Sequence, residues 1–276
     1  MERKSLNDVK SFWEKNPLFH GESSFEPGTR EFFEEHRRVV VEDCLAGVMD
    51  KRLIPNCDDG RILDLGCGPG LWTVEFLKRG ANNVVAGDLT DIALKLTRKR
   101  LIAYDLEAEV VHANAENMIF RSNSFDHVNC QGVIHHTPDT EKCVAEIARV
   151  LKPGGGAVIS VYYRNMFLRH WNLLNPLGKL LAKQGARLHG RGRENIYSEK
   201  DINEITRIYD GVKNPIGKSY SREAFVNMLE PHFEIKEIFY HFFPARSLPV
   251  IIPRILHKWL DKKLPFMIFV RLQKPW

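Results

Sequence analysis

The chain has 276 residues, 43% of them hydrophobic, and a formal net charge of +5 at neutral pH. This length and apolar content allow a full buried core, so disorder is not expected and one larger α/β domain is favoured. The charge is only mildly basic, whereas a nucleic-acid-binding protein would concentrate its basic residues on one surface.

The N-terminus, the apolar stretches and the cysteines together predict a cytoplasmic protein. The opening residues MERKSLNDVK are charged, and no apolar run follows them, so they lack the pattern of a secretory signal. Apolar stretches such as 157–163 and 248–252 fall short of the ~18 residues that cross a bilayer, so no transmembrane segment is expected. The five cysteines contain no C-x-x-C pair, which argues against a disulfide framework and against a zinc site.

Residues 1–60 precede the first predicted strand and carry two helical patterns. These run from about Val9 to Lys15 and from Arg30 to Met49, and a segment rich in Gly, Ser and Pro joins them. We predict a helical cap that covers the edge of a sheet or closes over a site. Its many aromatic side chains are expected to pack between the helices, and the alternative places Trp13 or His20 in the roof over a ligand.

From Arg61 to about Arg164, short apolar runs alternate with helical patterns, which is typical of β-α-β units and a parallel sheet. Each run is short enough for a buried strand. The predicted strands are 61–65, 84–87, 109–112, 125–131 and 156–163, and the predicted helices between them are 72–78, 91–103 and 140–151.

The part of the chain after the fifth predicted strand combines helical content with two further strands. A helix is predicted at Arg222–Leu229, and strands at Phe233–Phe243 and Phe266–Leu272 could pair as a hairpin with a helix at its tip. The sequence from 241 to 266 is apolar with interspersed basic residues. A helix that faces the core is the ordinary interpretation, and a membrane interface is the alternative.

The sequence RILDLGCGPG at 61–70 places an acid two residues before a glycine cluster at the end of a strand. Glycine lets the backbone turn tightly and lets a ligand approach the main chain. A dinucleotide fingerprint G-x-G-x-x-G would need glycine at position 71, where Leu71 stands. The carboxylate of Asp64 would repel a pyrophosphate, but it suits a ligand with an ammonium group and a sulfonium cation. This argues against NAD and FAD.

Five ordered motifs, DLGCGPG, VVAGD, NAENMIF, SFDHVNCQGVIHH and RVLKPGG, resemble those of class I S-adenosylmethionine-dependent methyltransferases, in the ubiquinone/menaquinone-methyltransferase-like branch. The resemblance covers about residues 60–165. It implies a Rossmann-like, seven-stranded, mostly parallel sheet with helices on both faces and an antiparallel terminal hairpin. The predicted division is a helical cap at 1–60 and a methyltransferase domain at 61–276, with a helical insertion at about 165–220. Cap and insertion would shape the acceptor pocket.

The resemblance also implies a site for S-adenosylmethionine at the strand ends. The glycine motif would hold the methionine part, and Asp88 would accept both ribose hydroxyls through its two oxygens. Asn114 stands where the family commonly has an acid that accepts the adenine amino group, and its amide oxygen can still accept. Gln131 would line the sulfonium side. The expected cofactor-binding residues are Asp64, Gly66, Cys67, Gly68, Gly70, Asp88, Leu89, Asn114, Ala115, Glu116 and Gln131.

Methyl transfer is a one-step displacement for which no metal or redox cofactor is required. Positioning can supply about 7–11 kcal/mol, and a general base adds roughly 10²–10⁴-fold where the acceptor carries a proton. His135 and His136 follow the fourth strand at the edge where ligands of open α/β sheets bind. We predict His135 as the base, and a structural role is the alternative for each histidine. Tyr162 or Tyr163 could contact the acceptor.

The sequence therefore predicts an S-adenosylmethionine-dependent methyltransferase for a small, apolar or aromatic acceptor, with O-methylation favoured over transfer to carbon or nitrogen. One alternative is an RNA-modifying methyltransferase that contacts phosphates through the basic segment from Arg187 to Arg193. Another is a non-catalytic module that binds S-adenosylmethionine. No stable membrane insertion is expected, and the C-terminal region could make peripheral contact with a membrane or with a lipophilic acceptor.

Overall fold

The computed structural model describes residues 4–19, 21–55, 60–184, 188–190 and 196–276. The strands are β1 (Arg61–Leu65), β2 (Asn83–Asp88), β3 (Glu109–His112), β4 (Phe125–Gln131), β5 (Leu151–Tyr163), β6 (Ser219–Tyr220), β7 (Glu234–His241) and β8 (Met267–Gln273). The helices are α1 (Leu6–Lys15), α2 (Arg30–Val39), α3 (Leu71–Leu77), α4 (Asp91–Ala103), α5 (Thr140–Val150), α6 (Met166–Arg169), α7 (Trp171–Lys183), α8 (Ile202–Ile208), α9 (Arg222–Leu229) and α10 (Arg254–Lys263).

The strands form one sheet in the order β3-β2-β1-β4-β5-β8-β7. The first five are parallel, and β8 runs antiparallel between β5 and β7. Central side chains such as Leu63, Val85, Val128 and Ile159 are fully buried in one core. The predicted α/β class, the mostly parallel sheet and the antiparallel terminal hairpin are confirmed.

Over the described residues the sheet has eight strands, one more than the predicted seven. The additional strand β6 has two residues, and Ser219 pairs in parallel with Tyr162 at the end of β5. β5 extends beyond Ser160, its last partner along β4, and this leaves a free edge for β6. Two residues are too few to show the alternation of a strand in the sequence.

The N-terminal helices are held over the carboxyl end of the sheet through α4. The carboxylate of Glu14 in α1 accepts hydrogen bonds from the Asp91 and Ile92 amides at 2.9 and 3.0 Å, at the N-terminus of α4. An acid is favourable there because that helix end carries a partial positive charge. The buried guanidinium of Arg100 in α4 donates to the Phe33 carbonyl of α2 at 2.9 Å. Both helices of the cap are therefore fixed beside the ends of β1 and β2.

Helix α2 passes into a π-helical turn over Val40–Cys44, so the predicted helix from Arg30 to Met49 ends at Cys44. Among the helices that the structure describes, none is long and apolar enough to cross a membrane.

Candidate functional site

A cleft lies at the carboxyl ends of the parallel strands. Its floor is formed by the glycine turn after β1 and by the residues that follow β2, β3 and β4, and α1 and the segment after it cover it from above. This is the place where open α/β sheets bind ligands. Several predicted cofactor residues line it: Gly66, Gly68, Asp88, Leu89, Asn114, Ala115 and Gln131.

Glycine stands at positions 66 and 68 of the turn for two different structural reasons. The amides of Gly66 and Cys67 both donate to the Gly87 carbonyl, at 2.7 and 3.1 Å, which folds the turn back onto β2. A Cβ on Gly66 would lie 2.3 Å from the side chain of Val133, so no larger residue fits without a shift. A Cβ on Gly68, whose φ is +52°, would meet only the Leu18 side chain at 4.0 Å. Gly66 therefore allows close packing, and Gly68 keeps the cleft open.

Asp88 presents its carboxylate to the cleft at the end of β2. One oxygen accepts the Gly68 amide at 3.0 Å, and the other accepts the amide and the hydroxyl of Thr90, both at 2.9 Å. Burial raises the pKa of Asp88, and the hydrogen bonds from Thr90 and Gly68 oppose this rise. The carboxylate is thus held rigidly in place, and the oxygen that accepts the Gly68 amide has a lone pair for a further hydrogen bond.

Asp64 lies beneath the glycine turn and does not line the cleft. Its side chain accepts hydrogen bonds from the Thr73 hydroxyl at 2.6 Å and from the Asn129 amide at 2.8 Å. The residue is 1% exposed, and burial raises its pKa to about 6. The Asn129 side chain in turn accepts from the Gln131 amide at 2.6 Å. Asp64 is therefore linked to the cleft through Asn129 and Gln131.

Three more of the predicted cofactor residues lie outside the lining of the cleft. Cys67 is buried against Ala86 and Leu94. Gly70 has a left-handed conformation and precedes α3. The Glu116 carboxylate accepts the Asp139 amide at 2.7 Å and so holds the start of α5.

A second cavity adjoins the cleft. The two cavities share the lining residues Trp13, Leu18, Gln131, Gly132 and His136. Aromatic side chains from distant parts of the chain form much of its remaining wall: Phe19, Trp72, Tyr162, Tyr209, Phe242 and Phe269. A ligand in the cleft and an aromatic molecule in the second cavity would meet at this shared wall.

His136 stands at the boundary between the cavities and is held from two sides. Its Nδ1 lies 2.8 Å from the Ile216 carbonyl oxygen, and its Nε2 lies 3.5 Å from a carboxylate oxygen of Asp210. A carbonyl can only accept, so Nδ1 carries a hydrogen, and in the neutral ring Nε2 is the nitrogen that can take up a proton. The Tyr162 hydroxyl lies 2.9 Å from both oxygens of Asp210 and holds that carboxylate in place.

His135, the predicted base, is fully buried and lines the second cavity but not the cleft. Its ring packs against His136 at 4.1 Å and against Tyr162 at 4.3 Å between centroids. Burial holds its pKa well below the usual value, so the ring is neutral. Within the part of the chain that the structure describes, neither ring nitrogen has a hydrogen-bond partner.

Of the two tyrosines at the end of β5, Tyr162 lines the second cavity, and Tyr163 packs against Tyr240. Trp13 lines both cavities and packs edge-on against His136 at 5.1 Å. Some sequence-predicted residues lie outside the described residues, namely His20 of the proposed roof and the arginines of the proposed phosphate contact, Arg187, Arg191 and Arg193.

Residues 63–159 match the family model for a methyltransferase domain. This range runs from β1 into β5 and includes the glycine turn, Asp88 and both histidines. The match confirms the family resemblance that the five motifs indicated.

Comparison with individual proteins gives the same result. The chain is 34% identical over 106 residues to the ubiquinone biosynthesis O-methyltransferase of Aromatoleum aromaticum. These residues are 38% of this chain and 45% of that protein. It is 38% identical over 120 residues to the demethylmenaquinone methyltransferase of Clavibacter sepedonicus, covering 44% and 48%. The chain thus spans about half the length of these curated relatives. An S-adenosylmethionine-dependent methyltransferase from Methanosarcina mazei shares the fold, with a TM-score of 0.55 at 21% identity over 80% of this chain and 94% of that one.

Proposed function

Because residues 63–159 match the family model for a methyltransferase domain, we propose that the chain transfers a methyl group from S-adenosylmethionine to an oxygen of a small, apolar, aromatic acceptor. The cleft would hold the cofactor, and the second cavity would hold the acceptor. One observation carries this proposal: the two cavities share a wall, and a histidine with a basic nitrogen stands in it.

The lining of the cleft fits S-adenosylmethionine. Asp88 would accept the ribose hydroxyls, and the open face of Gly68 leaves room for the ligand against the main chain. Leu89, Ala113 and Ala115 offer apolar contacts for the adenine ring, with the Asn114 amide beside them. When bound, the cofactor supplies a methyl group on a positively charged sulfur, which leaves as a neutral thioether.

His136 is proposed as the general base in place of His135. Its Nε2 would take the proton of an acceptor hydroxyl while the new oxygen–carbon bond forms, and the Asp210 carboxylate would stabilise the resulting imidazolium. Tyr162 positions Asp210 and does not itself take the proton. His135 would contribute in another way, because its unpartnered ring nitrogens could bind a second polar group of the acceptor.

The aromatic wall of the second cavity supports a flat apolar acceptor. The curated relatives carry names from ubiquinone and menaquinone biosynthesis. A hydroxylated aromatic ring, such as a phenol or a hydroquinone, agrees with both facts. Its hydroxyl would lie at His136 and its ring against the aromatic wall.

The proposal is tested with purified protein and methyl-labelled S-adenosylmethionine, offered the chloroform-soluble, aqueous small-molecule and RNA fractions of a cell extract. We expect label in an aromatic compound of the chloroform-soluble fraction, together with S-adenosylhomocysteine, and a hydroxyl converted to a methyl ether. Label in RNA would favour the alternative of an RNA-modifying enzyme. Cofactor binding without transfer to any fraction would favour the non-catalytic module.

A further inference from the structure

Helix α10 turns polar side chains inward and apolar side chains outward. His257 and Asp261 are 3% and 5% exposed, whereas Ile255 and Trp259 are 85% and 55% exposed. At 3.6 residues per turn these two pairs lie on opposite sides of the helix. A helix that packs onto a protein core shows the reverse arrangement. The apolar side of α10 therefore makes no contribution to the core of this chain.

The inward side is fixed by specific hydrogen bonds, so the outward side has a defined orientation. One Asp261 oxygen lies 3.0 Å from the His241 ring, and the other accepts the Phe243 amide at 3.0 Å. The Nε2 of His257 lies 3.2 Å from the Phe243 carbonyl oxygen. Rotation of the helix to bury Ile255 and Trp259 would turn Asp261 out to solvent and deprive the His241 ring and the Phe243 amide of this partner.

The outward side is also positively charged. Lys258, Lys262 and Lys263 are exposed, and in the described part of the chain none of them has a carboxylate within 4.0 Å. The fourth cation, Arg254, pairs with Glu42. Asp261 is the one acidic residue of the helix, and it faces inward. Three ammonium groups are thus presented next to the exposed apolar side chains.

The exposed apolar surface continues on both sides of α10. Val250 and Ile251, which precede the helix, are 63% and 103% exposed. In α7, a stripe at helical spacing, Leu173, Leu177 and Leu180, is also exposed.

Hydrogen bonds connect the α6–α7 segment with the α10 segment at both ends. The Asn165 side chain donates to the Pro265 carbonyl at 2.9 Å, and the His189 amide donates to the Ser247 carbonyl at 2.8 Å. The two segments that expose apolar side chains are therefore neighbours.

We infer that residues 250–263, called the docking face here, bind the interfacial region of a bilayer that contains anionic phospholipids. Apolar side chains flanked by lysines are the pattern of helices that lie in that interface, and each lysine near such a surface is attracted to it. A second copy of the chain fits less well, because a twofold contact would bring the same three lysines of both copies together.

The docking face lies close to the second cavity. Arg246 lines the second cavity and also lines a surface groove formed with residues 248–252. A membrane at the docking face would lie beside the cavity proposed for the acceptor, so a lipophilic acceptor could enter without crossing bulk water. The membrane binding itself does not depend on the proposed activity.

Flotation of the full chain with lipid vesicles tests the inference, without cofactor or acceptor. We expect binding at least about tenfold tighter to phosphatidylcholine vesicles that contain phosphatidylglycerol than to phosphatidylcholine alone. Ile255→Ser should weaken binding about tenfold, because its side chain would enter the interface. Ile102→Ser, at a 79% exposed position on α4, is the matched control and should bind as the unmodified chain does.

Two further measurements distinguish an anionic membrane from a second copy of the chain as the partner of the docking face. Lys258→Gln with Lys262→Gln should remove most of the preference for phosphatidylglycerol. The inference is overturned if the chain ignores anionic vesicles, or if Ile255→Ser and Ile102→Ser bind equally. It also falls if sedimentation velocity shows a dimer that Ile255→Ser dissociates while vesicle binding stays unchanged, since the face would then belong to a second copy.

Discussion

Replacement of His136 by asparagine is the sharpest test of the proposed chemistry. The asparagine amide nitrogen takes the place of the histidine Nδ1, so it can still donate to the Ile216 carbonyl, whose oxygen lies 2.8 Å from that nitrogen. Asp210 loses its contact with Nε2 but keeps the Tyr162 hydroxyl, which lies 2.9 Å from both carboxylate oxygens. The substitution therefore removes the basic nitrogen and leaves its neighbours partnered.

The expected effects on stability and on rate differ in size. One altered hydrogen bond costs about 1 kcal/mol of unfolding free energy, which leaves the fold intact. Loss of a general base lowers kcat about 10²–10⁴-fold, equivalent to roughly 3–5 kcal/mol of barrier. Affinity for S-adenosylmethionine should stay nearly unchanged, because His136 forms the wall and not the floor of the cleft.

The assay measures S-adenosylhomocysteine formation with a phenolic acceptor, beside cofactor binding by calorimetry. His135→Phe is the comparison, because phenylalanine preserves the ring packing at 4.1 and 4.3 Å but has no nitrogens. We expect it to raise the acceptor KM more than it lowers kcat. The assignment of His136 is refuted if His136→Asn keeps most of its turnover, or if His135→Phe causes the larger loss of kcat at an unchanged acceptor KM.

Three further predictions concern the cleft, the C-terminal helix and RNA. Gly68→Ala should weaken cofactor binding measured by calorimetry, because its Cβ would enter the cleft, whereas Gly66→Ala should lower the Tm, because its Cβ would lie 2.3 Å from Val133. Burial opposes the charge of His241, but hydrogen bonds with Asp261 and Asp50 raise its pKa, so its contribution to stability is full below about pH 6.5 and is lost as pH rises through the raised pKa. Chemical denaturation across this range should show that loss, and His241→Gln should abolish it. Finally, if the basic segment 187–193 contacts phosphates, RNA binding should weaken steeply with salt in a filter-binding assay, and weak salt-independent binding would contradict the RNA alternative.

Most strands could be predicted because each is an apolar run bounded by turn residues. β1, β3 and β4 have the predicted bounds, whereas β5 begins at Leu151 rather than at 156. Pro153 and the glycines after it are typical of a helix end, so the sequence does not predict that they belong to a strand. In the structure they do, at a place where the register between β4 and β5 shifts. A proline is tolerated at such a place because its missing N–H is not required there.

The candidate site could be predicted where it follows from the order of the strands. Asp88 and Gln131 end parallel strands and Asn114 lies just after one, so one edge of the sheet brings them together. Asp210 could not be found in this way. It lies in the predicted insertion, 74 positions after His136, and only the tertiary fold brings it within 3.5 Å of that ring. The same holds for Phe242 and Phe269 in the wall of the second cavity.

The Asp64 side chain does not line the cleft, although the sequence argument placed a ligand-binding charge there. The sequence predicts a carboxylate that attracts a cationic ligand, and the structure places that carboxylate beneath the cleft, with a pKa raised to about 6 by burial. At neutral pH its ionisation costs about 3 kcal/mol relative to a solvated carboxyl. The cost is present above pH 6 and disappears as the group takes up its proton.

A cation bound above the glycine turn would offset part of the free-energy cost of ionising Asp64, because opposite charges attract strongly in a site with little water. Binding of S-adenosylmethionine should therefore lower the pKa of Asp64, release protons near pH 6, and strengthen as pH rises from about 5 to 7. Calorimetry in buffers of different ionisation enthalpy measures the protons released. Asp64→Asn should remove most of the pH dependence while the amide keeps contact with Thr73, and Asp88 accounts for the remainder because its pKa is also raised by burial. An affinity that stays constant over this pH range would show that the buried carboxylate does not sense the ligand's charge, and its role would then be confined to holding Asn129 and Gln131 in place.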